Sequence, residues 1–258
     1  MKNCIFCGSD GKLSNEHIFP AWLQAHLGIE KEKLEIAFYS EDPQTVRSLV
    51  YGSHLNGHVC QNCNNGWMSQ LELAASPLLK EMLEGRVSRI LTDDEIHSLG
   101  LWIFKTALTL HNANPYPQVI PEHHYHLAFE RKAPAHCWIS IAHLKDPLVQ
   151  PAWIQDQNWL GAQLHFSGDE LREKLKQTYR IIFGFGYFAA RIIYFPLNLR
   201  LFPLEEGVQF IHPRYRNTPI LWPPSRSVED LWDLNSGMRI LPPFSQLSIP
   251  SEELTDYE

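Results

Sequence analysis

The chain lacks a basic excess. Its 258 residues carry 22 lysines and arginines against 29 aspartates and glutamates, a net charge of −7. A strong non-specific nucleic-acid binder carries the opposite balance, so any nucleic-acid contact needs a local basic patch or a metal ion. Long apolar runs are missing too. The densest stretch, IIFGFGYFAARIIYF at 181–195, is shorter than the roughly 18 residues of a membrane span and is interrupted by Arg191. No membrane partner is expected. The start, MKNCIFCGSD, has no apolar segment ahead of a small-residue cleavage site, and a soluble cytoplasmic protein is the expectation. Cysteine is sparse and odd in number, five in all, which argues against a disulfide framework. Repeats and low-complexity tracts are absent.

What is present is ordinary globular material, 44% hydrophobic and 20% charged, long enough to bury a sizeable core. The texture changes along the chain. PAWLQAHLG (20–28) predicts a short helix, with Pro20 in its first turn and Gly28 as its C-terminal cap. The polar stretch 29–52 predicts an insert, with a hairpin one way to fold it. A helix is expected to begin near Asn64. A further one is expected over 76–85, with Ser76 as cap and Pro77 in its first turn. Residues 92–112 predict a buried helix opened by a Thr92–Glu95 capping box. Beyond about 135, aromatic and β-branched runs predict strands at 136–144, 159–166, 179–195 and 208–213, the third turning as a hairpin near Gly184–Gly186. A capping box at Ser167–Glu170 predicts a helix over 167–177, and a short late helix is expected at 227–234. The acidic tail, SEELTDYE, is expected to fray.

Four of the five cysteines form two CxxC pairs, Cys4–Cys7 and Cys60–Cys63. Four thiolates at such spacing can close a tetrahedral zinc site. A site closed by four cysteines has no open position, so its zinc is structural. Chance spacing or a redox pair is the bland alternative. Cys137, in a predicted strand, reads as a buried core thiol. Between the pairs lies SNEHIFPAWL, where Glu16 and His17 are adjacent. A carboxylate can hold a hard divalent cation and an imidazole can act as a general base near neutral pH. Alone, such a pair is equally an exposed polar dipeptide.

Taken together, CxxC, an acid–His–Ile–x–Pro element and CxxC–Asn resemble the HNH nucleases of the ββα-metal fold, in their four-cysteine subgroup. The resemblance covers about residues 1–75. It implies an α+β chain with a zinc-stapled HNH-like module over 1–75 and a helix-then-strand domain of unassigned function over 76–258. By position it makes His17 the general base, Glu16 and Asn64 the ligands of a catalytic Mg²⁺ or Mn²⁺, and Cys4, Cys7, Cys60 and Cys63 the ligands of a structural Zn²⁺. It implies phosphodiester hydrolysis of nucleic acid, DNA in preference to RNA. Small HNH proteins with an added domain resemble restriction or phage-defence nucleases. This sequence departs from the pattern in having Glu16 where Asp is commoner, Asn64 where the last histidine stands, and no clear middle asparagine. Asn56, flanked by His54 and His58, is the nearest counterpart for orienting the base or shaping the turn.

Other residues carry weaker alternatives. Asn65 reads as a helix cap, Trp67 as a core aromatic, and Glu72 as a cap partner of Ser69 or a further metal ligand. HHYH at 123–126 reads as a polar strand or loop edge, and Arg214 with Arg216 as a small basic patch. The rival to the nuclease is a non-catalytic zinc module that binds nucleic acid or protein. It would keep the cysteines but has no need of Glu16, His17 and Asn64 together. A thiol redox protein is a third reading, with little in the sequence to recommend it.

Overall fold

The structure is a computed structural model describing residues 3–38, 45–50, 55–85, 88–113, 119–156, 176–195, 207–211 and 219–231. It is a mixed α+β fold. The first strand, β1 (Leu13–His17), leads through Pro20 into α1 (Ala21–Leu27). Gly28 ends α1 in the left-handed conformation at φ 69°, as a C-terminal glycine cap does. The insert does form a hairpin, β2 (Lys33–Phe38) against β3 (Thr45–Val50), and the chain then returns as β4 (Leu55–Cys60) to pair antiparallel with β1.

A short α2 (Gln61–Cys63) and a π-helical turn over Asn64–Met68, kinked at Gly66, lead into α3 (Ser69–Leu83). The helix expected over 76–85 is therefore the second half of a longer one, with Ser76 and Pro77 inside it. Packing outweighs the proline. Leu71, Ala75, Leu78, Leu79 and Met82 are buried along one face, whereas Pro77 is exposed. The carbonyl that Pro77 cannot bond belongs to Leu73, itself 73% exposed and so open to water.

After β5 (Arg89–Ile90) comes α4 (Asp93–Ala113). Its capping box forms as expected: the Glu95 amide donates to Thr92 Oγ1 and the Thr92 amide to Glu95 Oε2. Every residue from Leu99 to His111 is buried, so α4 is a central helix, apolar nearly all round. HHYH lies in a helix, α5 (Glu122–Phe129), rather than a strand or loop edge. Pro121 precedes its first turn, and His124 and Tyr125 point into the core.

The large sheet has three strands in the order β7-β6-β8, where β6 is Cys137–Asp156, β7 Tyr179–Tyr194 and β8 Val208–Ile211. The expected hairpin in 179–195 is instead one long strand. Gly184 and Gly186 serve close approach rather than reversal: a Cβ on Gly186 (φ 53°) would strike the Leu83 carbonyl at the end of α3, and one on Gly184 would strike the Phe188 carbonyl. β9 (Leu221–Trp222) pairs with β5. In the late segment Val228 bridges to Leu144, and helix begins only at Leu231. The expected strand at 159–166, the helix expected over 167–177 except for residues 176–177, which form a turn, the rest of the late helix and the acidic tail lie outside the described residues.

The main core runs through both halves of the chain. Trp102 of α4 meets Trp22 of α1 on one side and Phe183 and Phe185 of β7 on the other, with centroids 6.0–6.5 Å apart. Phe19 likewise packs edge-on to Phe185. Because α3 runs through residue 75 and the core is shared, the cysteine-bearing region is backed by the rest of the chain. Among the described residues no helix is long and apolar enough to cross a membrane.

Candidate metal centre and the polar cluster behind it

The four cysteines meet. The sulfurs of Cys4, Cys7, Cys60 and Cys63 all lie within 4.8 Å of one another, and those of Cys7 and Cys60 are 3.6 Å apart. Tetrahedral zinc with bonds of about 2.3 Å sets sulfurs about 3.8 Å apart, so the donor set and its spacing fit zinc. Each pair is folded as a knuckle by its own backbone. Gly8, at φ 72°, lets its amide turn back to the Cys4 carbonyl, and the Cys4 amide bonds Ser9. The Cys63 amide points at Cys60 Sγ and the Cys60 amide at Cys4 Sγ, each at 3.4 Å. These contacts favour thiolate. The bond from the Cys63 thiol draws Cys4 down to about 4, against the opposing effect of burial, while the same bond and burial push Cys63 up. Cys60 rather than Asn65 caps the first turn, and Asn65 is exposed. Trp67 is a core aromatic, edge-on to Phe6 at 5.5 Å with the Arg131 guanidinium over its ring. Cys137 is fully buried, and burial pushes its thiol well up, as expected of a core thiol.

The acid–histidine pair sits at the end of β1. Glu16 is opposite Asn56, and His17 is opposite Leu55. Between Ser14 and Glu16 the register slips, so that Asn15 faces both Gly57 and His58. The bulge frees the backbone of His58, and both of its groups find partners: its amide donates to Asn56 Oδ1, and its carbonyl accepts from Ile5 in the first knuckle. Asn56 is 1% exposed and also donates to the Thr109 carbonyl of α4 at 3.2 Å. It thus braces the bulge and ties the β1–β4 pair to the helix behind it. No described residue hydrogen-bonds or ion-pairs with the half-buried His17 ring. His54, Arg214 and Arg216 lie outside the described residues.

Asn64 reaches back to the same strand, its Nδ2 donating to Ser14 Oγ at 3.0 Å. The Ser14 hydroxyl spends its only proton on the Val59 carbonyl at 2.9 Å, so towards Asn64 it can only accept. That fixes the amide with Oδ1 facing away from Ser14, and no described residue engages Oδ1.

Lys105, in the middle of α4, is the residue that the sequence reading missed. Its ammonium is 0% exposed and lies 2.8 Å from both Glu16 Oε1 and Glu72 Oε1. Burial, the largest influence, pulls its pKa down, but the two carboxylates outweigh it and hold the lysine above its ordinary range. Glu72 therefore bonds Lys105, not the start of its own helix. Glu16 is engaged through Oε1, while no described residue bonds Oε2. A signal existed: a lone cation in the apolar run LWIFKTALTL must be paired if the helix is buried.

One carboxylate oxygen and one amide oxygen, both without protein partners among the described residues, are hard donors of the kind Mg²⁺ takes alongside waters and substrate phosphate. The chain matches no family model, no curated protein and no solved structure.

Proposed function

We propose that the chain is a metal-dependent nuclease of HNH type, hydrolysing phosphodiester bonds of nucleic acid, DNA by preference. What carries the reading is the Asn64–Ser14 hydrogen bond, which brings the asparagine after the second knuckle to the strand that bears Glu16 and His17. In this reading the four cysteines hold structural zinc and so fix the start of the helix relative to β1. Glu16 Oε2 and Asn64 Oδ1 hold Mg²⁺ or Mn²⁺, which when bound supplies positive charge against the scissile phosphate. The His17 ring takes a proton from the attacking water at an imidazole nitrogen. Asn56 fixes the bulge beside Glu16. The acidic balance of the chain does not oppose this, since a bound cation supplies the local positive charge.

The contact between Glu16 and Lys105 favours a second reading. Glu16 is then a structural ion-pair partner, and the zinc module binds nucleic acid or protein without cutting. Cleavage of supercoiled plasmid and of single strands with Mg²⁺ or Mn²⁺, wild type beside His17→Ala, separates the two. Cleavage by the wild type, lost in the variant while zinc content is retained, is the expected result. A zinc-loaded wild type that cuts neither substrate would leave the binding module.

A further inference from the structure

We propose that Lys105 and Glu72 form a charge-balanced clamp on Glu16, in which the lysine fixes one carboxylate oxygen and Glu72 offsets the lysine's charge, so that the other oxygen remains able to take a divalent cation. The inference rests on the nuclease reading and names two positioning residues for its site.

Three observations carry it. Lys105 is wholly buried, and its two carboxylate contacts come from different elements, β1 and α3, both at 2.8 Å. Such contacts hold a carboxylate in one orientation. Second, α4 grips both members of one cross-strand pair. Lys105 takes Glu16, and the carbonyl of Thr109, four residues further along the helix, takes Asn56 directly opposite. The β1–β4 pair carrying the candidate site is thereby registered against a helix outside the cysteine region. Third, an ammonium in contact with a cation ligand would by itself repel the cation and leave the Glu16–Lys105 pair neutral. Glu72 adds the charge that makes the cluster net negative again. The charged groups in contact with Lys105 among the described residues are these two carboxylates, and the facing residue of β4, Asn56, is uncharged.

The test is Mn²⁺ titration of zinc-loaded protein, followed by the electron paramagnetic resonance of free Mn²⁺. It compares wild type, Glu72→Gln, Lys105→Met and the double variant, with Mg²⁺-dependent plasmid cleavage measured alongside. Removing Glu72 cancels the net charge and weakens Mn²⁺ binding by about five-fold or more. Removing Lys105 as well restores the charge, and the double variant returns to within about two-fold of wild type. Lys105→Met alone makes the cluster more negative and binds Mn²⁺ at least as tightly as wild type, but loses about 100-fold or more in cleavage at saturating metal, because Glu16 is no longer fixed.

Unchanged Mn²⁺ affinity in Glu72→Gln overturns the clamp. So does a double variant as weak as Glu72→Gln, which would make Glu72 a direct ligand. If Lys105→Met does not fold, the isosteric Glu72→Gln decides alone, its side chain being 21% exposed. A wild type that binds no Mn²⁺ overturns both the clamp and the nuclease reading. Mn²⁺ binding without cleavage of any nucleic acid overturns the nuclease alone, and Glu72→Gln still decides the clamp.

Discussion

The chain holds two polar clusters close together in the fold and builds them in opposite ways. The sulfur cluster is made of two local knuckles. Each is closed by amides within a few residues of its own cysteines, and the pairing of β1 with β4 brings the knuckles together. The Glu16–Lys105–Glu72 cluster has no local component. Its lysine is 89 residues from one carboxylate and 33 from the other, and the three meet only because α4 packs behind the β1–β4 pair. A ligand set that works through a metal leaves its imprint in spacing. A set that works through burial leaves only an isolated charge in an apolar run.

The comparison is broken most severely at the sulfurs. Structural zinc sites in small modules contribute on the order of 10 kcal/mol to folding. Stripping the metal with a strong chelator, or Cys60→Ser, is expected to lower the melting temperature by more than about 10 °C. Scanning fluorimetry with metal analysis checks this. Without chelator, Cys137→Ser, outside the cluster, should hold as much zinc as wild type.

The second break is at Lys105. Removing one partner of a buried ion cluster leaves uncompensated charge, and Lys105→Met should cost about 3–5 kcal/mol in urea unfolding. The triple variant Lys105→Met, Glu16→Gln, Glu72→Gln removes the charges together and should regain most of that loss. Equal destabilisation in the single and the triple variant would mean that the cluster contributes packing rather than charge.

The smallest effect belongs to a buried polar contact distant from both clusters in sequence. His124 is fully buried with Nδ1 3.0 Å from the Tyr179 hydroxyl, and burial, helped by neighbouring His123, drives its pKa down to about 3. The unfolded chain takes a proton there near pH 6.5, but the fold does not until about pH 3. Stability from this group is therefore full above pH 6.5 and is lost as pH falls from there towards 3, by about 1.4 kcal/mol for each pH unit. Urea midpoints measured from pH 7 to pH 5 should fall less steeply in His124→Gln than in wild type.

Much of the local structure was legible because it is locally caused. The Thr92–Glu95 box, the Gly28 cap and the folded-back insert form as their residues predict. The misread elements have tertiary causes. Pro77 stays inside α3 because the helix buries an unbroken apolar face. The glycines of β7 admit the end of α3 instead of turning the chain. HHYH is helical because His124 and Tyr125 pack inward. Within the site, the cysteines were readable from spacing, whereas Asn56 was only the nearest counterpart to a middle asparagine and its bond to Thr109 was not foreseeable.

The sequence by itself determined the four-cysteine cluster, for thiolate pairs at that spacing have few other uses, and it put Glu16 and His17 between the knuckles and Asn64 directly after the second. Only the tertiary structure decided what Glu16 touches. A carboxylate drawn into a low-dielectric interior must find a cation, and the nearest one lies on a helix that the first 75 residues do not contain.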